Sequence, residues 1–235
     1  MGGLIEIASA ILAESQQRVD VAAQNIANME TPGYKRTVAF AALLDMADSD
    51  TPDVLSVPTR TDFAQGGLTN TGSPLDLAIS GAGFFALRQG DRTVWSRQGA
   101  FALDGSGHLV RSDGAVLEAD TGGDLVLKAG AFVVAADGTV TQAGQEVGRI
   151  GLSEADNPGR LQPVSGGFSA PAGVTMNDVA RPVIHQGMLE ASNVSNGQEM
   201  AGIIEASRRA EVGQKLVQVY DELLGRVFSA FGGGG

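Results

Sequence analysis

Residues 4–34 read LIEIASAILAESQQRVDVAAQNIANMETPGY, and within them Ile5, Leu12, Val19 and Ile26 recur every seven residues. Ala8, Ser15, Ala22 and Met29 sit three positions further on. Apolar residues at this spacing line one stripe of an α-helix, so the pattern predicts a helix over about Leu4–Asn28. Large side chains at one seam position and mostly small ones at the other allow a second helix to approach closely. Leu4 and Ile11 widen the stripe towards a second contact. Thr31-Pro32-Gly33 ends the helix: Pro32 disfavours helical geometry at Thr31, and Gly33 permits a reversal.

The other end of the chain carries the same kind of signal. Ile203, Ala210, Val217, Leu224 and Phe231 recur every seven residues, with Ala206, Gly213, Tyr220 and Val227 at the second seam position. They predict a longer helix over about Gly197–Phe231. Asn196 is placed to cap it, with Glu199 as the third helical residue of a capping box. Glu205 with Arg209, Glu211 with Lys215, and Glu222 with Arg226 are acid-first pairs four apart, the stabilising orientation on a helix surface. The last four glycines read as a flexible tail.

Between the helices the periodicity shortens. Over 75–181, Asp104-Gly105, Asp113-Gly114, Gly122-Gly123 and Asp137-Gly138 interrupt short apolar runs, the signature of tight turns between antiparallel strands. Leu109-Val110, Val116-Leu117, Leu125-Val126-Leu127 and Phe132-Val133-Val134 are the strand candidates. Segments 34–74 and 182–196 read as extended connectors, the first with Pro52, Pro58 and Pro74. The chain thus divides into a helical segment 1–33, a connector 34–74, a β-rich domain 75–181, a return connector 182–196 and a second helical segment 197–235. The fold class is α+β: terminal helices forming a coiled-coil-like assembly domain, with an antiparallel β domain inserted between them.

Composition narrows the function. The 235 residues are 43% hydrophobic and 18% charged, a globular composition. A net charge of −11 opposes contact with nucleic acid or anionic lipid, so neither is expected as a partner. No cysteine is present, which removes disulfides and thiolate metal sites. The N-terminus lacks the basic start and small-residue cleavage site of a secretory signal, and no apolar run is long enough to span a membrane.

Catalytic readings find little support. His108 lies beside a turn, where it reads as an exposed hairpin residue, and His185 lies in a connector. Neither has a neighbour at metal-ligand spacing. Asp104-Gly105-Ser106-Gly107 lacks the glutamate that closes a calcium loop, since Ala115 stands there. Gly81 and Gly83 lack the third glycine and following helix of a dinucleotide site. No catalytic, cofactor-binding or metal-ligating residue is predicted, and no cofactor. A carboxylate pair among Asp76, Asp104 and Asp113 would be needed for a glycan-acting enzyme, but turn positions explain Asp104 and Asp113 better.

The helical stripes leave two readings open. Helices of this length draw most of their stability from packing. Either the ends form a helical hairpin within one chain, or they also pack against other chains, which would cover Leu4, Ile7, Ile11, Val21 and Ala23.

Three blocks carry a resemblance. Asn25-Ile26-Ala27-Asn28-Met29-Glu30-Thr31-Pro32-Gly33-Tyr34-Lys35 resembles the N-terminal signature of bacterial flagellar rod and hook proteins. Leu189-Glu190-Ala191-Ser192-Asn193-Val194, followed by Glu199-Met200, Arg208 and Glu211, is similar to that family's C-terminal signature. Pro74 to Phe85, then Ser96 to Phe101, Ala136 to Val140 and Val147 to Ile150, resemble its β domain. The blocks stand in the family's order and span most of the chain. Arg208-Arg209 and Ala210 look more like the proximal-rod member than the distal-rod one.

The resemblance implies a structural subunit of the basal-body rod, which crosses the periplasm and transmits torque from motor to hook. It implies export through the flagellum's own apparatus, without a cleaved signal. Partners would be copies of the chain and other rod proteins, and the export apparatus during assembly. The assembly interface would comprise Ile5, Ile11, Leu12, Val19, Asn25, Ile26, Asn28 and Tyr34 from the first segment, and Ile203, Val217, Tyr220, Leu224 and Val227 from the second. Asn25 and Asn28 would bond free carbonyls at the helix end or a neighbouring chain. Tyr34 and Lys35 would fix the connector against the next subunit, unless Tyr34 is a rim residue of the chain's own core. The rival reading is a secreted or surface adhesin, binding module or glycan-acting enzyme whose helices are merely structural.

Overall fold

The structure is a computed structural model that describes residues 3–39, 58–120 and 122–232. The expected connector residue Pro52 and the last three glycines lie outside them, as do the side chains of Leu4, Val227 and Phe231. The chain forms two compact units. One comprises residues 1–27, 37–62 and 194–235, the other 28–36 and 63–193.

The first unit is built on helices α1 (Gly3–Ala27) and α2 (Asn196–Gly232). Asn25 touches Glu199, Glu14 touches Arg209, and Leu12 faces Gly213. One number rises as the other falls, so the helices run antiparallel. Both stop within a residue or two of the places the sequence predicts. At its start α2 differs in detail. Asn196 is already helical, and the carbonyl of Ser195, just outside, accepts the Glu199 N–H at 3.0 Å. The Glu199 carboxylate reaches Asn25. Within the expected first connector, Thr37–Ala39 pairs antiparallel with Thr59–Thr61 in this unit.

The second unit is antiparallel β-structure. Its central strand, Phe84–Gln89, pairs with Arg92–Ser96 along one edge. Along the other it pairs first with Leu152–Ala155 and then with Val116–Leu117. Alternation along this strand sends neighbouring rings to opposite faces. Phe85 packs with Leu77, Ile79, Leu87, Leu117, Ile150 and others in the main core. Phe84 joins Leu161 and Phe168 in a second cluster, where Phe63 meets both rings edge-on at 5.7 and 5.0 Å.

Asp113-Gly114 and Asp137-Gly138 turn between paired strands as the sequence predicts. Leu125 to Leu127 differs: it forms only an isolated bridge from Val126 to His108, though Leu125 and Leu127 are buried. The expected connectors also contribute strands to this unit. Leu68–Asn70 pairs with Met188–Glu190, and Leu77–Ile79 with Ile184–Gln186. Chain that leaves the β region therefore returns alongside chain that enters it.

Candidate assembly interface

Within the helical unit, small residues make the seam. Ala8, Ser15 and Ala22 of α1 are buried, as are Ala206 and Gly213 of α2. They recur at seven-residue spacing, which holds them on one stripe of each helix. A Cβ placed on Gly213 would lie 3.1 Å from Leu12 Cγ and 3.3 Å from Ile11 Cγ2, so glycine sets how closely the helices approach. On one flank Glu14 bonds Arg18 at 2.8 Å and meets Arg209 at 3.7 Å, and Arg209 bonds Glu205 at 2.6 Å. Of the three acid–base pairs expected along α2, only this last one forms among the described residues.

The large seam residues divide differently from the small ones. Ile5 is 41% exposed. Ile11, Leu12, Val19, Ile26, Ile203, Val217, Tyr220 and Leu224 are all half-buried. The antiparallel pair therefore covers the small stripe and leaves part of the large one uncovered.

Asn25 is fully buried in the helical unit. Its Nδ2 donates to the Thr37 carbonyl at 2.7 Å and to Glu199 Oε2 at 3.1 Å, and its Oδ1 accepts the Thr37 N–H at 2.9 Å. The side chain thus mimics a strand partner for Thr37 and ties α1 to α2. Sequence reading expected it to bond helix-end carbonyls or a neighbouring chain; Thr37 and Glu199, which it does bond, lie in its own unit. Asn28 belongs to the β unit, where its Oδ1 accepts from Thr31 Oγ1 at 3.3 Å. Tyr34 is half-buried there.

The β unit holds a group that sequence reading placed elsewhere. Lys35, expected to face the next subunit, is buried and donates to Glu190 Oε1 at 2.6 Å and to the Ala64 carbonyl at 2.8 Å. Glu190 also accepts the Gly66 N–H at 3.0 Å and Arg97 Nη1 at 3.2 Å. Arg97 Nη2 donates to the Gly81 carbonyl at 2.5 Å, and the guanidinium lies 5.6 Å from the centre of the Phe84 ring. Burial pushes the Arg97 guanidinium below its usual pKa, and the Glu190 charge opposes that shift. Beside this group Gly33 takes a left-handed φ of 71°. A Cβ there would sit 2.4 Å from the Arg97 backbone. The Gly33 N–H donates to the Glu190 carbonyl at 2.7 Å. Gly33, Lys35, Arg97 and Glu190 come from all three quoted sequence blocks and close on one another. Glycine followed two residues later by a cation was visible in the sequence, but the partner carboxylate 155 residues away was not.

The residues weighed as catalytic have local work. Asp104 Oδ1 accepts the N–H groups of Ser106 and His108, both at 2.8 Å, and Oδ2 meets His108 Nδ1 at 3.0 Å. These bonds, the His108 N–H first, lower its pKa to about 2. His108 is half-buried between Asp104 and Asp124, which corrects its expected exposed position. Asp113 is held by Arg111, which also lowers its pKa, and Asp76 accepts from Thr71 at 2.6 Å. Among the described residues no group of three or more His, Cys, Asp or Glu is placed to hold a metal ion, and no helix is long and apolar enough to cross a membrane.

Known families match along the chain in the same three places. A family described as Flagella basal body rod protein matches residues 5–35. The Flagellar hook protein FlgE/F/G D1 domain matches 78–149, and the Flagellar basal body rod FlgEFG protein C-terminal family matches 185–229. The flagellar basal-body rod protein FlgF of Caulobacter vibrioides is 34% identical over 146 residues, which cover 58% of this chain and 60% of that protein. The rod protein FlgG of Agrobacterium fabrum is 33% identical over 171 residues, 63% of this chain and 61% of that one. The hook protein FlgE of Treponema pallidum is 36% identical over 112 residues, 40% of this chain and 24% of that one. The chain therefore spans less than two thirds of the length of each of these relatives. With an N-terminal rod segment, an inserted D1 domain and a C-terminal rod segment in this order, the chain belongs to the flagellar rod and hook family.

Proposed function

We propose that this chain is a structural subunit of the flagellar basal-body rod, joining copies of itself and other axial proteins through its terminal helices. Its place is that of the FlgF-type proximal-rod member, exported through the flagellar apparatus without a cleaved signal, with no catalytic role. The observation that carries the reading is the helical unit. Its small seam is satisfied within one chain, whereas Ile5 and the half-buried row from Ile11 to Leu224 keep apolar surface in water, which contact with further helices would remove.

The residues expected as interface take different parts in this reading. Ile5, Ile11, Leu12, Val19, Ile26, Ile203, Val217, Tyr220 and Leu224 offer surface to neighbours. Asn25 and Lys35 instead organise the chain that presents it. Deleting the gene is expected to abolish swimming and leave basal bodies without a complete rod, and re-expression of the full chain restores both. Intact flagella in the deletion strain would refute the proposal and favour a surface adhesin or binding module.

A further inference from the structure

The β unit carries a pocket on the face of its sheet opposite the main core. Residues paired across antiparallel strands share a face. Ser153 pairs with Phe84 and with Asp178, and Ala86 pairs with Trp95. Phe85 and Leu87, on either side of Ala86, point into the main core, as do Ile150 and Leu152 on either side of Gly151. Ala86, Trp95, Gly151, Ser153 and Asp178 therefore face the other way. There they line an open pocket of about 260 Å³. Ala86, Gly151 and Ser153 contribute little bulk, and Trp95 and Met176 contribute apolar surface. A Cβ on Gly151 would stand 2.8 Å from Asp120 Cα, and the Asp120 N–H donates to the Arg149 carbonyl at 2.9 Å. Glycine thus lets the Asp120 backbone close onto the sheet.

The charge in this pocket is uncompensated. Glu118, Asp120 and Asp178 line it, and among the described residues no lysine or arginine does. Glu118 has Arg88 at 3.9 Å, but Arg88 also bonds Asp124. No hydrogen bond or ion pair engages the Asp120 or Asp178 carboxylate among the described residues. No three acidic or imidazole groups there are placed to hold a metal ion, so the surplus suits a cation that brings its own bulk.

We propose that this pocket receives one arginine side chain from a basic partner protein. A guanidinium is planar and weakly hydrated, so it stacks on the Trp95 ring while its N–H groups meet Asp120 and Asp178. Met176 packs along the aliphatic stem. Pockets that enclose whole small molecules measure roughly 300–1,000 Å³; this one is smaller and suits a single long side chain. A second copy is a poor occupant, because each copy carries a net charge of −11 and like charges oppose the encounter. A basic surface is steered towards it instead. The assignment goes beyond the rod reading and stands or falls separately from it.

Trp95 is the only tryptophan, so its fluorescence reports this pocket alone. The full-length chain is titrated with the blocked tripeptide acetyl-Ala-Arg-Ala-amide. In parallel it is titrated with the same peptide carrying citrulline, whose urea group has the shape of a guanidinium without its charge. The arginine peptide should give a saturable change in emission. Asp120→Asn or Asp178→Asn should weaken it about 2–5-fold, the range for one exposed ion pair. Citrulline, which loses both ion pairs and the attraction to the ring, should weaken it about tenfold or more. Both aspartates are exposed, so both variants should keep the parent's urea midpoint. No saturable change, equal binding of the citrulline peptide, or unaltered affinity in both variants would overturn the pocket. The same emission change on concentrating the protein without peptide would make a second copy the occupant and overturn the assigned partner. None of these outcomes bears on the rod reading, which the gene deletion tests.

Discussion

Replacing Glu190 with glutamine tests the buried cluster in the β unit. The carboxylate holds Lys35 at 2.6 Å, Arg97 at 3.2 Å and the Gly66 N–H at 3.0 Å, all out of water. Glutamine keeps the shape but presents one oxygen and an amide NH2. One of the two cations then faces a donor, and neither has a counter-charge. Removing one member of a buried ion pair costs about 3–5 kcal/mol, because the remaining charge is left uncompensated. With a urea slope of about 2 kcal/mol/M, the unfolding midpoint of the β unit should fall by roughly 1.5–2.5 M. Tryptophan fluorescence reads this, since Trp95 packs against the Phe84 cluster. Adding Lys35→Met to Glu190→Gln should recover part of the loss, since one unpaired cation is gone. A midpoint shift below about 0.5 M in the single variant would refute the reasoning. So would a double variant weaker by the full sum of the two changes.

Gly33→Ala should destabilise the same unit by about 2 kcal/mol or more, from the left-handed backbone and the 2.4 Å approach to Arg97; urea unfolding measures it, and a change under about 0.5 kcal/mol would contradict the contact. Gly213→Leu should force α1 and α2 apart at Leu12 and cost about 1–3 kcal/mol through overpacking. Helical circular dichroism and motility should both drop while the β unit keeps its unfolding midpoint. Asp104→Asn should lower thermal stability above about pH 4 and converge with the parent in acid. The Asp104 pKa is depressed to about 2 in the folded chain, so its contribution is present above its unfolded value and is lost as pH falls through about 2. A stability gap that persists below pH 2 would mean that charge is not the cause.

The helices were legible in the sequence because a seven-residue period repeats over several turns, and Pro32 marks an end. The β turns at Asp113 and Asp137 were legible because turn chemistry is local. What escaped was non-local. The strands Leu77–Ile79 and Ile184–Gln186 find each other across more than a hundred residues, and no local signal names that partner. Lys35 was expected to fix the connector against the next subunit, because a charge just past a helix stop has no partner nearby in sequence. Only the fold brings Glu190 beside it. Asn25 was read as a helix-end residue, and only the fold shows its amide completing the bonds of Thr37. The signatures that identify the family are therefore spent largely inside the chain, on Gly33, Lys35, Arg97 and Glu190. The surface left for neighbours is the plainer heptad stripe.

A density map of the intact basal body, from cells expressing this chain in place of the native gene, tests the central claim most directly. The rod should show density for an antiparallel helix pair with Ala8, Ser15 and Ala22 against Ala206 and Gly213, contacted by further helices along the row from Ile5 to Leu224. A rod complete without this chain, or the chain present with that row facing only solvent, would contradict it.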